Sequence, residues 1–154
     1  MLKESKWPQY GRSGLTVHGI VLHNTDHYTD KADYIVNYLE NECLSSEGTH
    51  FLIDDENTIE VMPTDWKTWS TGKGDDWAFH NCISITICNN INDILYKAGQ
   101  DKAVALIKEL LTKYNLTKND IYFHNDFNER VYCPNTMLDK YGSVKRFVVE
   151  EMEE

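Results

Sequence analysis

A short apolar run that ends in polar residues constrains this chain more than any other feature. The segment HGIVLHNT, residues 18–25, has the length and the apolar content of a buried strand, and its polar residues could project from the C-terminal end. The segment IYFHND at 121–126 has the same character. Between them, NCISITICNN at 81–90 alternates isoleucine with small or semi-polar residues, which predicts a strand with a two-residue period. We therefore expect all three segments to be strands.

Helical periodicity separates these strands. The segments 29–41 and 99–115 have apolar residues at helical spacing, and 143–154 is expected to form a terminal helix. Asp101 falls in the first turn of the second segment, where a negative charge suits the helix dipole. THFLIDDENTIEVMP at 49–63 predicts two strands joined at DDEN. This order predicts an α/β fold: a single domain over residues 1–154, with a central mixed β-sheet flanked by helices.

The charge balance excludes several classes of partner. The formal net charge is −10, whereas a protein that binds nucleic acid or an anionic membrane surface needs a basic patch. No stretch approaches eighteen apolar residues, so we expect no transmembrane helix, and the first ten residues contain no apolar signal-peptide core. We therefore expect synthesis in the cytoplasm, with any export by another route.

Three residues stand out as metal-ligand candidates. His23 ends the first predicted strand, His124 ends the last, and Cys133 follows in a loop. Two imidazoles and one thiolate form a good ligand set for zinc, with a fourth position open for water. Taken alone, the signal is weak, because a lone histidine is more often a satisfied polar residue and a lone cysteine a buried hydrophobe. The four cysteines form no CxxC pair, which favours reduced thiols.

Several motifs together carry a family resemblance. IVLHNT, THFLIDDENTIEVMP, WSTGKGD, NCISITICNN and HNDFNERVYCPN occur in that order. Their order and spacing resemble those of the zinc-dependent type-2 N-acetylmuramoyl-L-alanine amidases, which share a fold with the peptidoglycan recognition proteins. The chain looks most similar to catalytic domains of phage and prophage endolysins that act on Gram-positive hosts. The resemblance spans about residues 7–140, which leaves 143–154 as a terminal helix or the start of a linker.

The resemblance implies a cofactor, a reaction and a partner. It implies that His23, His124 and Cys133 bind Zn²⁺. It also implies that zinc-activated water cleaves the amide between N-acetylmuramic acid and L-alanine of bacterial peptidoglycan. Endolysins of this kind act on the wall after release at host lysis, and they commonly carry a separate C-terminal wall-binding domain.

The chain departs from the family pattern where proton transfer is expected. Thr86 occupies the position of the usual glutamate, and a threonine cannot shuttle a proton at neutral pH. Thr49 occupies the position of a tyrosine that other members use, and Arg130 lies at or beside the position of their lysine. We expect the catalytic set to involve Thr86, Arg130 and His50. Arg130 could stabilise an oxyanion, and His50 could carry a proton or simply pack within the sheet.

Other residues have competing interpretations. We expect Trp69, Lys73 and Asn24 to bind substrate, although a tryptophan here could seal the core and a loop lysine is usually solvated. Asp126 could cap a turn or orient a zinc histidine, and Glu129 could be plain surface.

Three function classes remain open on these residues. The first is an active zinc amidase, and the second is a non-catalytic peptidoglycan-binding module, which the missing glutamate and tyrosine favour. The retained Cys133 favours the amidase, because related recognition proteins typically lack that ligand. The third is a cysteine hydrolase using Cys133 with His124, against which Pro134 counts because it removes a backbone N–H beside the nucleophile.

Overall fold

A computed structural model defines the fold. It describes residues 1, 12–26, 31–41, 48–68, 70 and 77–153. The strands in these ranges are β1 (Arg12–Ser13), β2 (Gly19–Asn24), β3 (Phe51–Ile53), β4 (Thr58–Glu60), β5 (Trp66–Lys67), β6 (Cys82–Ile87) and β7 (Ile121–Phe123). The α-helices are α1 (Ala32–Asn41), α2 (Trp77–Asn81), α3 (Asp93–Lys113), α4 (Asn135–Tyr141) and α5 (Val144–Phe147). Two 3₁₀ turns at Lys118–Asp120 and His124–Asp126 flank β7, and a π-helical turn at Val148–Met152 follows α5.

The five-stranded sheet confirms the predicted mixed topology. Its strand order is β4-β3-β6-β2-β7, with β4 antiparallel to β3 and the other pairs parallel. β1 and β5 pair separately. In the register of the central strands, His23 lies opposite Thr86 and Leu22 lies opposite Phe123. Because parallel strands end at the same edge, this register brings the polar ends of β2, β6 and β7 together.

Helices cover both faces of the sheet, which explains why β2 is buried along its whole length. The larger core packs one face against α3, α4 and α5, and includes Ile20, Ile83, Ile85, Ile107, Met137 and Phe147. On the other face, Ala32 of α1 packs near Leu52, and Ala78 of α2 packs near Val21. Burying each large side chain contributes roughly 1.5–3 kcal/mol, so the strand ends rest on a well-packed and stabilised core.

Helix α3 begins earlier than the periodicity predicted. The Asn92 side chain accepts hydrogen bonds from the backbone N–H groups of Ile94 and Leu95, and it caps the helix there. The prediction that Asp101 lies in the first turn was therefore wrong: Asp101 lies inside the helix and pairs with Lys97 one turn back. In the described ranges, no helix combines the length and the apolar content needed to cross a membrane.

The region after β7 differs most from expectation. No helix was predicted from the sequence where α4 lies. Gly142 caps the C-terminus of α4, and its positive φ of 78° suits a residue without a side chain. The predicted terminal helix at 143–154 is present as α5 and the π-helical turn. Ser143 caps α5 by accepting a hydrogen bond from the Arg146 backbone N–H. Helix α4 matters for the site because it directly follows the segment that carries Cys133.

Candidate metal centre

The three predicted ligands meet at the carboxyl edge of the sheet. His23 lies near the end of β2, His124 begins the turn after β7, and Cys133 lies in the loop before α4. Nδ1 of His23 is 3.2 Å from Nδ1 of His124, and Sγ of Cys133 is 3.8 Å from Nδ1 of His23. All three ligand atoms lie within 4.8 Å of one another.

This spacing suits a small tetrahedral cation. Zinc with Zn–N bonds of about 2.0–2.1 Å and a Zn–S bond of about 2.3 Å separates two nitrogens by about 3.3 Å, and a nitrogen from a sulfur by about 3.6 Å. The observed distances of 3.2 and 3.8 Å lie close to those values. Two imidazole nitrogens facing each other leave at least one lone pair directed into the gap, which a metal ion would accept. The ligand set therefore fits a zinc-like ion.

Burial shifts the pKa values of His23 and Cys133 in opposite directions. Burial, and then the neighbouring His124, lower the pKa of His23 to about 3, so its ring is neutral at pH 7 as metal binding requires. Burial raises the pKa of the Cys133 thiol to about 11, and the nearby Asp26 carboxylate also raises it. Without a metal the thiol is protonated at neutral pH. This state disfavours Cys133 as a free nucleophile, and a cation bound there would have to displace the thiol proton.

A cavity of about 250 Å³ opens onto the three ligands. Its lining comprises His23, Asn24, Asp26, Gly48, Ser70, Thr86, His124, Val131 and Cys133. Asp26 supplies the only carboxylate among these residues, and it was not among the site residues predicted from the sequence. Its position three residues after His23 was the available signal. A larger groove of about 670 Å³ runs beside β7 and α5, but none of the three ligands lines it.

Thr86 lines this cavity with its hydroxyl held inside the protein. Its Oγ1 donates to Oγ1 of Thr49 at 3.1 Å. The Thr49 hydroxyl lies 3.0 Å from the Ser84 carbonyl oxygen, to which it can donate, and 3.1 Å from the Ser84 hydroxyl. These hydroxyls form a polar chain between β3 and β6, and none of them titrates near neutral pH. Where the family pattern has an acid, this chain has hydroxyls bonded to one another.

His50 lies within the sheet and not in the cavity lining. Its Nδ1 accepts a hydrogen bond from the Ser84 backbone N–H at 2.9 Å, so its Nε2 carries the proton that it donates to the Trp66 carbonyl at 2.6 Å. The side chain is fully buried, and burial lowers its pKa to about 4. Both ring nitrogens are occupied in joining β3 to β6 and to β5. This geometry favours the packing interpretation of His50 over a role as proton carrier.

The Asn24 side chain is used within the protein. Its amide nitrogen donates to the Ile87 carbonyl at 3.2 Å and to the Tyr96 hydroxyl at 3.1 Å. Its Oδ1 accepts from the backbone N–H groups of Thr136 and Met137 at the start of α4. The geometry therefore does not favour the predicted contact between this side chain and a substrate, because the amide is hydrogen-bonded to β6, α3 and the start of α4.

The remaining candidates lie outside the cavity lining or outside the described residues. Arg130 and Glu129 are exposed, and neither lines the cavity. Asp126 accepts a hydrogen bond from the Phe123 backbone N–H at 2.7 Å, so it caps the turn that carries His124. Trp69 and Lys73 lie outside the described residues. Their predicted roles stay predictions.

Known proteins share both the sequence pattern and the fold. The family model described as N-acetylmuramoyl-L-alanine amidase matches residues 13–136. N-acetylmuramoyl-L-alanine amidase CwlA of Bacillus subtilis (strain 168) is 30% identical over 123 residues, which cover 79% of this chain and 44% of that protein. N-acetylmuramoyl-L-alanine amidase XlyA of the same organism is 29% identical over 128 residues, which cover 82% of this chain and 42% of XlyA. The chain thus spans about half the length of the curated relatives it matches.

Solved structures agree with this assignment. The catalytic domain of XlyA superposes with a TM-score of 0.78 at 26% identity, covering 92% of this chain and 91% of that one. The structure of PlyL gives a TM-score of 0.76 at 25% identity and covers 83% and 79% of the two chains. The resemblance seen in the sequence is confirmed. Because the family model covers most of the chain and its match includes all three metal-ligand candidates, the chain belongs to the N-acetylmuramoyl-L-alanine amidase family.

Proposed function

We propose that this chain hydrolyses the amide bond between N-acetylmuramic acid and the L-alanine of bacterial peptidoglycan, with Zn²⁺ as its cofactor. One observation carries the proposal: His23, His124 and Cys133 converge at a cavity in a chain of the amidase family. A zinc ion held there would act as a Lewis acid on the carbonyl and supply an activated water. Such a site needs a neutral His23 ring, which burial supplies, and it needs Cys133 to lose its proton when the metal binds.

The chain's own residues would bind substrate and move protons. Hydrolysis of an amide requires a proton for the departing amine. Among the described cavity residues Asp26 is the one carboxylic acid, so we assign this task to Asp26 ahead of Thr86 and His50. Substrate contacts by Trp69 and Lys73, and oxyanion stabilisation by Arg130, stay predictions. A separate wall-binding domain and action on the wall at host lysis also stay predictions.

A peptidoglycan-binding module is the second candidate, and a specific observation favours it. The Thr86 and Thr49 hydroxyls bond to each other where the family pattern has titratable groups, so the site could hold a metal and a stem peptide without turning substrate over. The cysteine hydrolase is less well supported, because burial keeps the Cys133 thiol protonated at neutral pH.

One assay separates the three functions. Purified Gram-positive cell wall is digested with the protein, with and without a chelator, and free N-terminal L-alanine is measured. The amidase predicts release that the chelator abolishes and added zinc restores. Wall binding without release would support the binding module, and release that ignores the chelator would support the thiol enzyme.

A further inference from the structure

We propose that Asn89 is a positioning residue for the metal centre, because it clamps the segment that carries Cys133 to the strand that carries His23. Asn89 follows β6 at the same sheet edge and is 1% exposed. It does not line the cavity, and no described contact joins it to a metal-ligand candidate. The inference rests on the metal site of the proposed function, although it can be tested without measuring activity.

The Asn89 amide bridges two ligand-carrying segments. Its nitrogen donates to the Thr25 carbonyl at 2.5 Å and to Oδ1 of Asn135 at 2.8 Å. Its oxygen accepts from the Thr136 hydroxyl at 2.6 Å, and its backbone N–H donates to the Thr25 hydroxyl at 2.9 Å. Thr25 is two residues after His23, and Asn135 is two residues after Cys133. One buried side chain therefore joins the two segments directly.

The Cys133 loop has a second attachment on its other side. The Asn125 backbone N–H donates to the Cys133 carbonyl at 3.0 Å, which ties the loop to the turn carrying His124. On the β2 side, in addition to Asn89, the Asn24 side chain accepts from two backbone N–H groups at the start of α4. Asn24 is adjacent to His23, so substituting it would disturb a ligand directly. Substituting Asn89 changes the link between the two segments without altering a residue adjacent in sequence to His23, His124 or Cys133.

A loop held in this way keeps the Cys133 thiol in place before the metal arrives, and the thiol loses its proton when the metal binds. If the clamp is removed, Cys133 has to be ordered at each binding event, and the entropy cost appears as weaker metal affinity. Residues that orient metal ligands typically contribute about 10–100-fold in affinity. We expect Asn89→Ala to weaken zinc binding by about tenfold or more on that scale.

The experiment measures zinc affinity on folded protein by chelator competition, well below the melting temperature. The variants are Asn89→Ala and Asn89→Asp, and the latter keeps the acceptor for Thr136 while losing both amide donors. Gln100→Ala is the matched control: it removes another fully buried amide, which donates to the Tyr141 hydroxyl at 2.8 Å and lies on α3. Loading with Co²⁺ gives a second readout, the thiolate-to-cobalt charge-transfer band, which reports the Cys133 bond.

The clamp predicts that both Asn89 variants bind zinc about tenfold or more weakly, with a weakened cobalt–thiolate band, while Gln100→Ala loses stability but keeps wild-type affinity. Wild-type affinity in Asn89→Asp, or an equal loss in Gln100→Ala, would overturn the inference and leave the proposed function standing. If Asn89→Ala does not fold, Asn89→Asp decides. A wild-type protein that binds no zinc would overturn the metal site and this inference together.

Discussion

The two walls of the cavity differ in how their polar atoms are used. The wall built by β2, the His124 turn and the Cys133 loop brings three ligand atoms within 4.8 Å of one another. The β3–β6 wall consists of Thr86 of β6, which lines the cavity, and the residues behind it just before β3. Its polar groups turn inward: Thr86 bonds to Thr49, and the buried His50, behind the lining, bonds to Ser84 and Trp66. The first wall has the geometry to hold a cation, whereas the hydrogen bonds of the second hold strands together.

This difference shows that metal binding and proton transfer are separate requirements on one fold. A metal site needs several ligands to converge, and parallel strands that end at one edge supply that convergence. A proton carrier needs only one titratable group at the right place, so it can move to another position without changing the fold. In this cavity we propose Asp26 for that task, because it is the one carboxylate among the described lining residues.

The largest expected effect comes from the metal-binding wall. Cys133→Ser replaces a thiolate by a hydroxyl that zinc binds poorly, so we expect zinc affinity and L-alanine release each to fall by at least about 100-fold. Metal content by elemental analysis and the wall-digestion assay measure the two effects. Cys88→Ala, a change in the small apolar cluster near α1, is the control and should keep zinc. A zinc-replete and fully active Cys133→Ser protein would remove the contrast between the walls.

The second effect tests whether the β3–β6 wall is structural. Because the pKa of His50 is about 4 in the folded protein and near 6.5 when unfolded, the unfolded state takes up the proton first as pH falls. The contribution of neutral His50 to the free energy of unfolding is complete above about pH 6.5. It is lost progressively toward pH 4, by up to about 2 kcal/mol at pH 5.

Urea unfolding at pH 7 and pH 5 measures this effect. We expect the loss of unfolding free energy between the two pH values to be smaller in His50→Gln than in the wild type. Equal losses, or a His50 ring that NMR finds protonated at pH 6, would return His50 to the list of proton carriers.

The sequence predicted the metal-binding wall well and the other wall poorly. The ligand trio follows from polar residues at the ends of buried strands, and the fold brings them together as expected. Helix α4 was not predicted, and the sequence left open whether His50 packs within the sheet or carries a proton, because both depend on contacts between residues distant in sequence. The hydrogen bonds of the Asn24 amide could not be predicted for the same reason: its partners come from β6, α3 and α4. Its predicted role in substrate binding stays a prediction.

A third change would give the β3–β6 wall a titratable group. Thr86→Glu extends a carboxylate from the cavity wall toward the ligands, and we expect kcat/KM for wall hydrolysis to rise about tenfold at equal zinc content. The gain is smaller than a fully optimised acid gives, because the Thr49 contact must be rearranged. Thr86→Gln has the same size without the charge and should show no gain. If both variants behave alike, the missing carboxylate does not limit this site.

The smallest expected effect concerns Arg130, which tests whether the loop between the ligands contributes catalytic groups at all. Val131 lines the cavity, whereas Arg130 is exposed and does not line it. An exposed guanidinium is well solvated and stabilises a distant oxyanion weakly, so we expect Arg130→Ala to lower kcat/KM by less than about threefold. Steady-state kinetics on soluble wall fragments measure this, with Arg130→Lys as the charge-conserving control. If Arg130→Ala lowers kcat/KM tenfold or more while Arg130→Lys keeps the wild-type value, the positive charge acts at the reacting carbonyl. The metal-binding wall would then carry catalytic groups in the Cys133 loop as well as at the proposed proton carrier, Asp26.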